Sequence, residues 1–284
     1  MNYLSAGFVW LLLLLSLGIS VARPQTPDAE AELKLGMSAY EEGTYEEAVT
    51  HLERATSLQP NDINGHYYLA LANSGMCTLH TWCEKPWSEA AIREFDRVLE
   101  LDPSHKEGMK SLAYLFYRLA RLEEAQAYYR KAAAIDPDDT EAILGIAFLD
   151  FTTSWQFLME HKVQLGLRPG ESMIRLPMCD QIRQANLPKV AEGIDLLGTT
   201  EFRDDADAQA YRAVLYQERA ELQCGDANAY KYDQRLARES WDRVCNMRRT
   251  QERRPGTPAY RLIPAPPPPE YEKDCTSDRV EIEH

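Results

Sequence analysis

The chain has 284 residues, 44% apolar and 27% charged, so it can bury at least one sizeable core. Its formal net charge of −14 repels phosphate backbones and anionic lipid, which excludes nucleic acid as the main partner. With 14 glycines and frequent Ala, Leu and Glu, the composition favours helix over sheet.

The first segment reads as a targeting signal. Met1 to Ala22 carry no charged side chain, Phe8–Ile19 form an apolar run, and Ser20-Val21-Ala22 place small residues at a cleavage site. A signal peptide cleaved near Ala22 is therefore expected, and with it export to the periplasm or the medium. The n-region lacks Lys and Arg, so an uncleaved anchor stays open as the alternative; a run of about 12 residues is short for a span. No second stretch offers an integral membrane span. In an exported chain the six cysteines read as disulfide candidates.

A repeat follows. Ala29–Asp62 and Lys106–Asp139 align without gaps, 34 residues each. Leu35-Gly36 and Leu112-Ala113 give a large-small pair on a first helix, the small member allowing a second helix to cross closely. Ala48 and Ala125 open that second helix, Leu52 with Ala55 and Tyr129 with Ala132 continue its inner face, Leu58 and Ile135 close it, and Pro60 and Pro137 stop it. Between them, Ala91, Phe95, Val98, Leu101 and Pro103 repeat the ending, with Leu69-Ala70 as the pair. From Ile63 to Pro103 there are 41 residues, against 32 from Ala29 to Pro60, and the extra nine are placed in a loop around Met76–Pro86. A further first helix starts at Thr140.

These positions resemble the tetratricopeptide repeat, a pair of antiparallel helices stacked into a solenoid. The resemblance implies an all-α fold with repeats at 29–62, 63–105 and 106–139 and the start of a fourth at 140. It also implies a concave face lined by the first helices, where a partner protein or peptide would lie. Carried onto this chain, that face includes Met37, Tyr40, Tyr67, Lys110, Tyr114, Tyr117, Arg118 and Phe148, with rings gripping the partner and Lys110 and Arg118 orienting an acidic group. The carboxylate clamp of some family members is incomplete: Tyr114 stands at its Asn position, and Leu33 and Met37 replace polar groups.

Beyond Phe151 the 34-residue beat fails. Residues 152–247 are expected to be irregular helices: Trp155–Leu167, a loop at Arg168–Pro177, a second-type helix at Asn186–Leu197, one over Asp205–Leu222, and a last one over Ala229–Met247 capped by Asp226 or Asn228. Glu192–Leu222 and Ala229–Val244 resemble exported bacterial tetratricopeptide proteins of unassigned function, implying a cell-envelope setting. The tail, 248–284, holds four consecutive prolines, Pro266–Pro269, and is expected to lack packed structure.

Three chemical readings remain. Cys77 and Cys83 flank His80; a Cys77–Cys83 disulfide is favoured over metal, since a structural zinc needs four ligands. Cys179–Cys224 and Cys245–Cys275 are possible bridges, whereas about sixteen helical residues would hold Cys224 and Cys245 roughly 24 Å apart. No catalytic signature, phosphate loop or dinucleotide fingerprint is present, so neither catalysis nor a cofactor is expected. The function expected is a non-enzymatic adaptor; the alternatives are a metal-handling protein using Cys77, His80 and Cys83, or an accessory subunit of an envelope enzyme complex.

Overall fold

The structure is a computed structural model describing residues 28–79, 85–168, 171–199 and 202–251. The expected signal peptide, the proline-rich tail beyond Gln251, and His80, Cys83 and Cys275 lie outside the described residues. Within them there are ten α-helices and no strand. They are α1 (Ala29–Glu41), α2 (Tyr45–Leu58), α3 (Ile63–Leu79), α4 (Lys85–Leu101), α5 (Lys106–Arg118), α6 (Leu122–Ile135), α7 (Thr140–Gln164), α8 (Cys179–Leu196), α9 (Ala206–Glu221) and α10 (Ala227–Gln251).

Successive helices pair as hairpins, α1/α2 through α9/α10, and each hairpin packs on the next. The first member of each pair also meets the first member of a neighbour at α1/α3, α3/α5 and α7/α9, so the first helices share one face. Side-chain caps fix several starts, satisfying amide groups that a helix leaves open. Asp28 accepts from Glu30 N, Asp139 from Ala142 N, Asp205 from the Asp207 and Ala208 amides, and Asp226 from the Asn228 and Ala229 amides. Each of Pro60, Pro103 and Pro137 stands two residues past a helix end.

Small residues sit where helices cross. A Cβ on Gly36 would lie 2.4 Å from Leu52 Cγ, and one on Gly145 would lie 2.6 Å from the Tyr129 ring. Ala48, Ala91 and Ala125, at matching repeat positions in α2, α4 and α6, are fully buried. The turn after α1 is made by Gly43 at φ 78°; its counterpart after α5 is Ala120 at φ 57°, a left-handed conformation that costs a Cβ-bearing residue free energy.

Leu58 and Ile135 end α2 and α6 as expected, with their side chains half exposed. Of the large members of the pairs, Leu69 and Leu112 are buried and Leu35 is 52% exposed. Several expectations need correction. Part of the nine-residue excess is absorbed by longer helices: α3 and α4 have 17 residues each, against 13 and 14 in α1 and α2. Met76 and Cys77 are thus buried in α3 and do not lie in a loop. Thr140–Phe151 and Trp155–Leu167 fuse into one 25-residue helix, α7. Helix α8 starts at Cys179, before Asn186, and carries Pro188 inside it. Pro188 is exposed, so the carbonyl left open by its missing N–H faces solvent.

Among the described residues, α7 is the one helix long and apolar enough to cross a bilayer, and most of that stretch is buried against other helices.

Candidate functional site

The shared face of the first helices carries two strings of rings. In the first, Tyr40 lies 5.8 Å from Tyr45 and 5.9 Å from Tyr68, Tyr68 lies 5.7 Å from Tyr67, and Tyr67 lies 5.1 Å from His105. In the second, Tyr114 lies 6.2 Å from Tyr117, Tyr117 meets Phe148 edge-on at 4.7 Å, and Phe148 and Phe151 both pack on Tyr211 of α9. These spacings suit tilted and edge-to-face ring contacts. Met37, Tyr40, Tyr67, Tyr68, Tyr114 and Tyr117 are all half-buried. Burial pushes the Tyr67 and Tyr117 hydroxyls above the ordinary tyrosine pKa, so both stay neutral donors.

Three of the residues expected to face a partner are spent internally. Lys110, 7% exposed, pairs with Glu141 at 2.8 Å and Asp139 at 3.1 Å, both at the start of α7. Burial alone would push its ammonium pKa down; the two carboxylates outweigh this and hold it above the usual lysine value. Arg118 donates to the Cys77 carbonyl at 2.9 Å, satisfying one of the open acceptors at the end of α3. Phe148 is 6% exposed, covered by Tyr117 and Tyr211. Lys110 is therefore neutralised within the protein, whereas the partner of Arg118 is an uncharged carbonyl. Tyr68 and Tyr211 were not anticipated. Tyr68 is one position beyond the expected Tyr67, and Tyr211 joins the face only because α9 stacks on α7.

A second polar region lies inside the α7/α8/α9 packing. Asp150 is fully buried and accepts from Gln126 Nε2 at 2.6 Å. Burial, aided by Glu192 and opposed by Arg130, pushes its carboxyl up to about 7. Glu218, 1% exposed, is pushed up to about 8 by burial, against the opposing pull of Ser154 and Lys189. Such acids are kept neutral by desolvation.

Cys179 and Cys224 are joined, with an S–S distance of 2.05 Å and Cα atoms 5.6 Å apart. Cys77 and Cys245 are also disulfide-bonded. No group of three or more His, Cys, Asp or Glu able to hold a metal occurs among the described residues.

Geometry of this kind, helical hairpins stacked side by side with small residues at the crossings, defines a helical-repeat solenoid. Tetratricopeptide repeat family models match residues 36–76 and 88–140. The chain carries tetratricopeptide repeats over these residues, within its first half. Among curated relatives, Protein CTR9 homolog of Arabidopsis thaliana is 36% identical over 61 residues, which is 22% of this chain and 6% of that one. The TPR repeat-containing thioredoxin TDX of the same plant is 29% identical over 112 residues, 39% of this chain and 27% of the relative. Hsp70-Hsp90 organizing protein 3, again from Arabidopsis thaliana, is 28% identical over 118 residues, 42% of this chain and 20% of the relative. The chain thus spans at most 27% of the length of these relatives. Two solved structures of MamA align over more of it. One has a TM-score of 0.50 at 9% identity, covering 82% of this chain and 98% of MamA. The other, a MamA RS-1 double mutant, has a TM-score of 0.51 at 16% identity, covering 79% and 96%. At these identities the likeness is one of fold.

Proposed function

We propose that the protein is a non-enzymatic adaptor whose first-helix face holds an extended or helical segment of another protein. The observation that carries this reading is the row of half-buried, side-by-side rings: Tyr40, Tyr68 and Tyr67 on α1 and α3, Tyr114 and Tyr117 on α5. Rigid amphipathic rings bury large area at low entropic cost. Because Lys110 and Arg118 are engaged within the protein, recognition rests on apolar contact and the tyrosine hydroxyls. Hsp70-Hsp90 organizing protein 3, similar over part of its length, is named for organising other proteins, which agrees with such a role.

The test starts from peptides selected on the purified protein. Their affinity, measured by fluorescence anisotropy, should fall about tenfold or more in a Met37→Ala/Tyr114→Ala variant. Thermal unfolding of that variant should be unchanged. Peptides that bind it as tightly as the parent would remove the face from consideration.

We also propose that the protein works in an oxidising compartment, consistent with the Cys179–Cys224 bridge and with the absence of a free cysteine among the described residues. Metal handling by Cys77, His80 and Cys83 is less well supported, since a disulfide-bonded Cys77 is not a thiolate ligand.

A further inference from the structure

At the end of the fifth hairpin, three arginines converge. Arg203 lies in the connection after α8, Arg212 on α9 and Arg243 on α10. With Gly198, Thr199 and Gln209 they line a pocket of about 330 Å³.

Among the described residues, none of the three pairs with a carboxylate. Arg212 donates to the Tyr216 hydroxyl at 3.0 Å and lies 5.5 Å from that ring's centre, yet its Nε is buried with no partner. Arg243 reaches the Gln209 Oε1 at 3.5 Å. Gln209, 1% exposed, is held in place by its own bond from Nε2 to the Phe202 carbonyl at 2.9 Å. Lys110, Arg130, Lys162 and Arg219, by contrast, each meet an acid. In a chain with 45 acidic and 31 basic side chains, three arginines lining one hollow, none of them ion-paired among the described residues, is a local inversion. An anion held in the hollow would offset this local positive charge. Guanidinium forks suit oxyanions, and three of them exceed what one carboxylate neutralises. The pocket's volume is at the small end of the range for ligand sites.

We propose that this pocket binds a phosphate-class oxyanion, either free or as the exposed phosphate of a lipid headgroup. The site lies apart from the tyrosine row, so it stands or falls independently of the adaptor reading.

The test uses the full chain in chloride buffer, titrated with inorganic phosphate by calorimetry. Acetate at matched ionic strength is the control. Saturable phosphate binding, at least tenfold weaker in Arg243→Gln and in Arg203→Gln, is expected, with no saturable response to acetate. Arg203→Gln alters an exposed side chain, so it keeps the test readable should Arg243→Gln fold poorly. Vesicles of phosphatidic acid, set against phosphatidylcholine, separate the two sources. Phosphate-competed binding to the acidic vesicles identifies a headgroup, and phosphate binding without vesicle binding identifies a free anion. No saturable phosphate binding to the parent, or equal binding to both variants, overturns the proposal.

Discussion

Asp150 and Glu218 make individual side chains responsible for a pH dependence. Free carboxyls of these types titrate near 4 in an unfolded chain. In the fold, burial raises Asp150 to about 7 and Glu218 to about 8. Between those limits the folded protein keeps protons that the unfolded chain has released. Stability therefore declines as pH rises from about 4 to about 8, the reverse of a salt-bridged acid. Around Asp150, Arg130 and Lys189 oppose the shift and Glu192 reinforces it; all three remain in the variant below. Thermal melts near pH 5 and pH 8 should show the parent losing several degrees at the higher pH, at roughly 2–4 °C per kcal/mol for a chain of this size. Asp150→Asn/Glu218→Gln should flatten that difference and melt higher than the parent near pH 8. An identical pH slope in parent and variant would mean that both acids are ionised in the fold.

At the scale of helices, legibility followed periodicity. The crossings at Gly36, Ala48, Ala113 and Ala125 could be read from the sequence because two 34-residue copies align without gaps. Beyond Phe151 the elements were visible singly, but their joins were not. The helical pattern runs unbroken through Thr152–Ser154, whose hydroxyls all bond back to carbonyls within α7, so no breaker marks a boundary there. The internal partners of two expected site residues were hidden for a related reason. Lys110 and Arg118 occupy suitable register positions, but their partners, Asp139, Glu141 and the Cys77 carbonyl, belong to neighbouring hairpins that register alone does not place.

The segment between α7 and α8 shows how tertiary contacts replace helical order. Its Met173 is fully buried, and its amide donates to Glu221 Oε2, which also pairs with Lys162 at 3.4 Å. Gly225 N donates to the Ile174 carbonyl, and the Cys179–Cys224 bridge ties the start of α8 to the turn after α9. With 45 residues of separation, removing that bridge by Cys179→Ala/Cys224→Ala should cost about 2–4 kcal/mol. The loss should appear in urea melts read from Trp241 in α10. A variant as stable as the parent would show that the bridge constrains an already fixed geometry.

Across the whole molecule the core is unequal. One apolar cluster runs from Ala70 through Phe95, Leu112, Tyr129, Leu149 and Tyr211 to Ala237, linking α3 to α10. The cluster beneath α1 and α2 is separate and small: Ala39, Ala48, Val49, Leu52, Leu69 and Ala72. Three of these six are alanines, so the first hairpin buries little apolar area. In a solenoid each hairpin is held by its neighbours, and a terminal one has a single neighbour. The opposite end does not share this weakness: Trp241 and Val244 of α10 pack on Ala210 and Ala213, and Arg219 and Gln223 both bond to Asp233 across the last hairpin. Opening should therefore begin at the N-terminal hairpin. Native-state hydrogen exchange is expected to show α1 and α2 exchanging by a sub-global route at lower free energy than α7 to α9. Leu52→Ala, which empties the centre of the small cluster, should widen that gap by about 2–5 kcal/mol while leaving protection in α7 to α9 unchanged. Uniform protection along the chain, moving together in the variant, would instead make the solenoid one cooperative unit and leave Tyr40, the first tyrosine of the row, as firmly held as the rest.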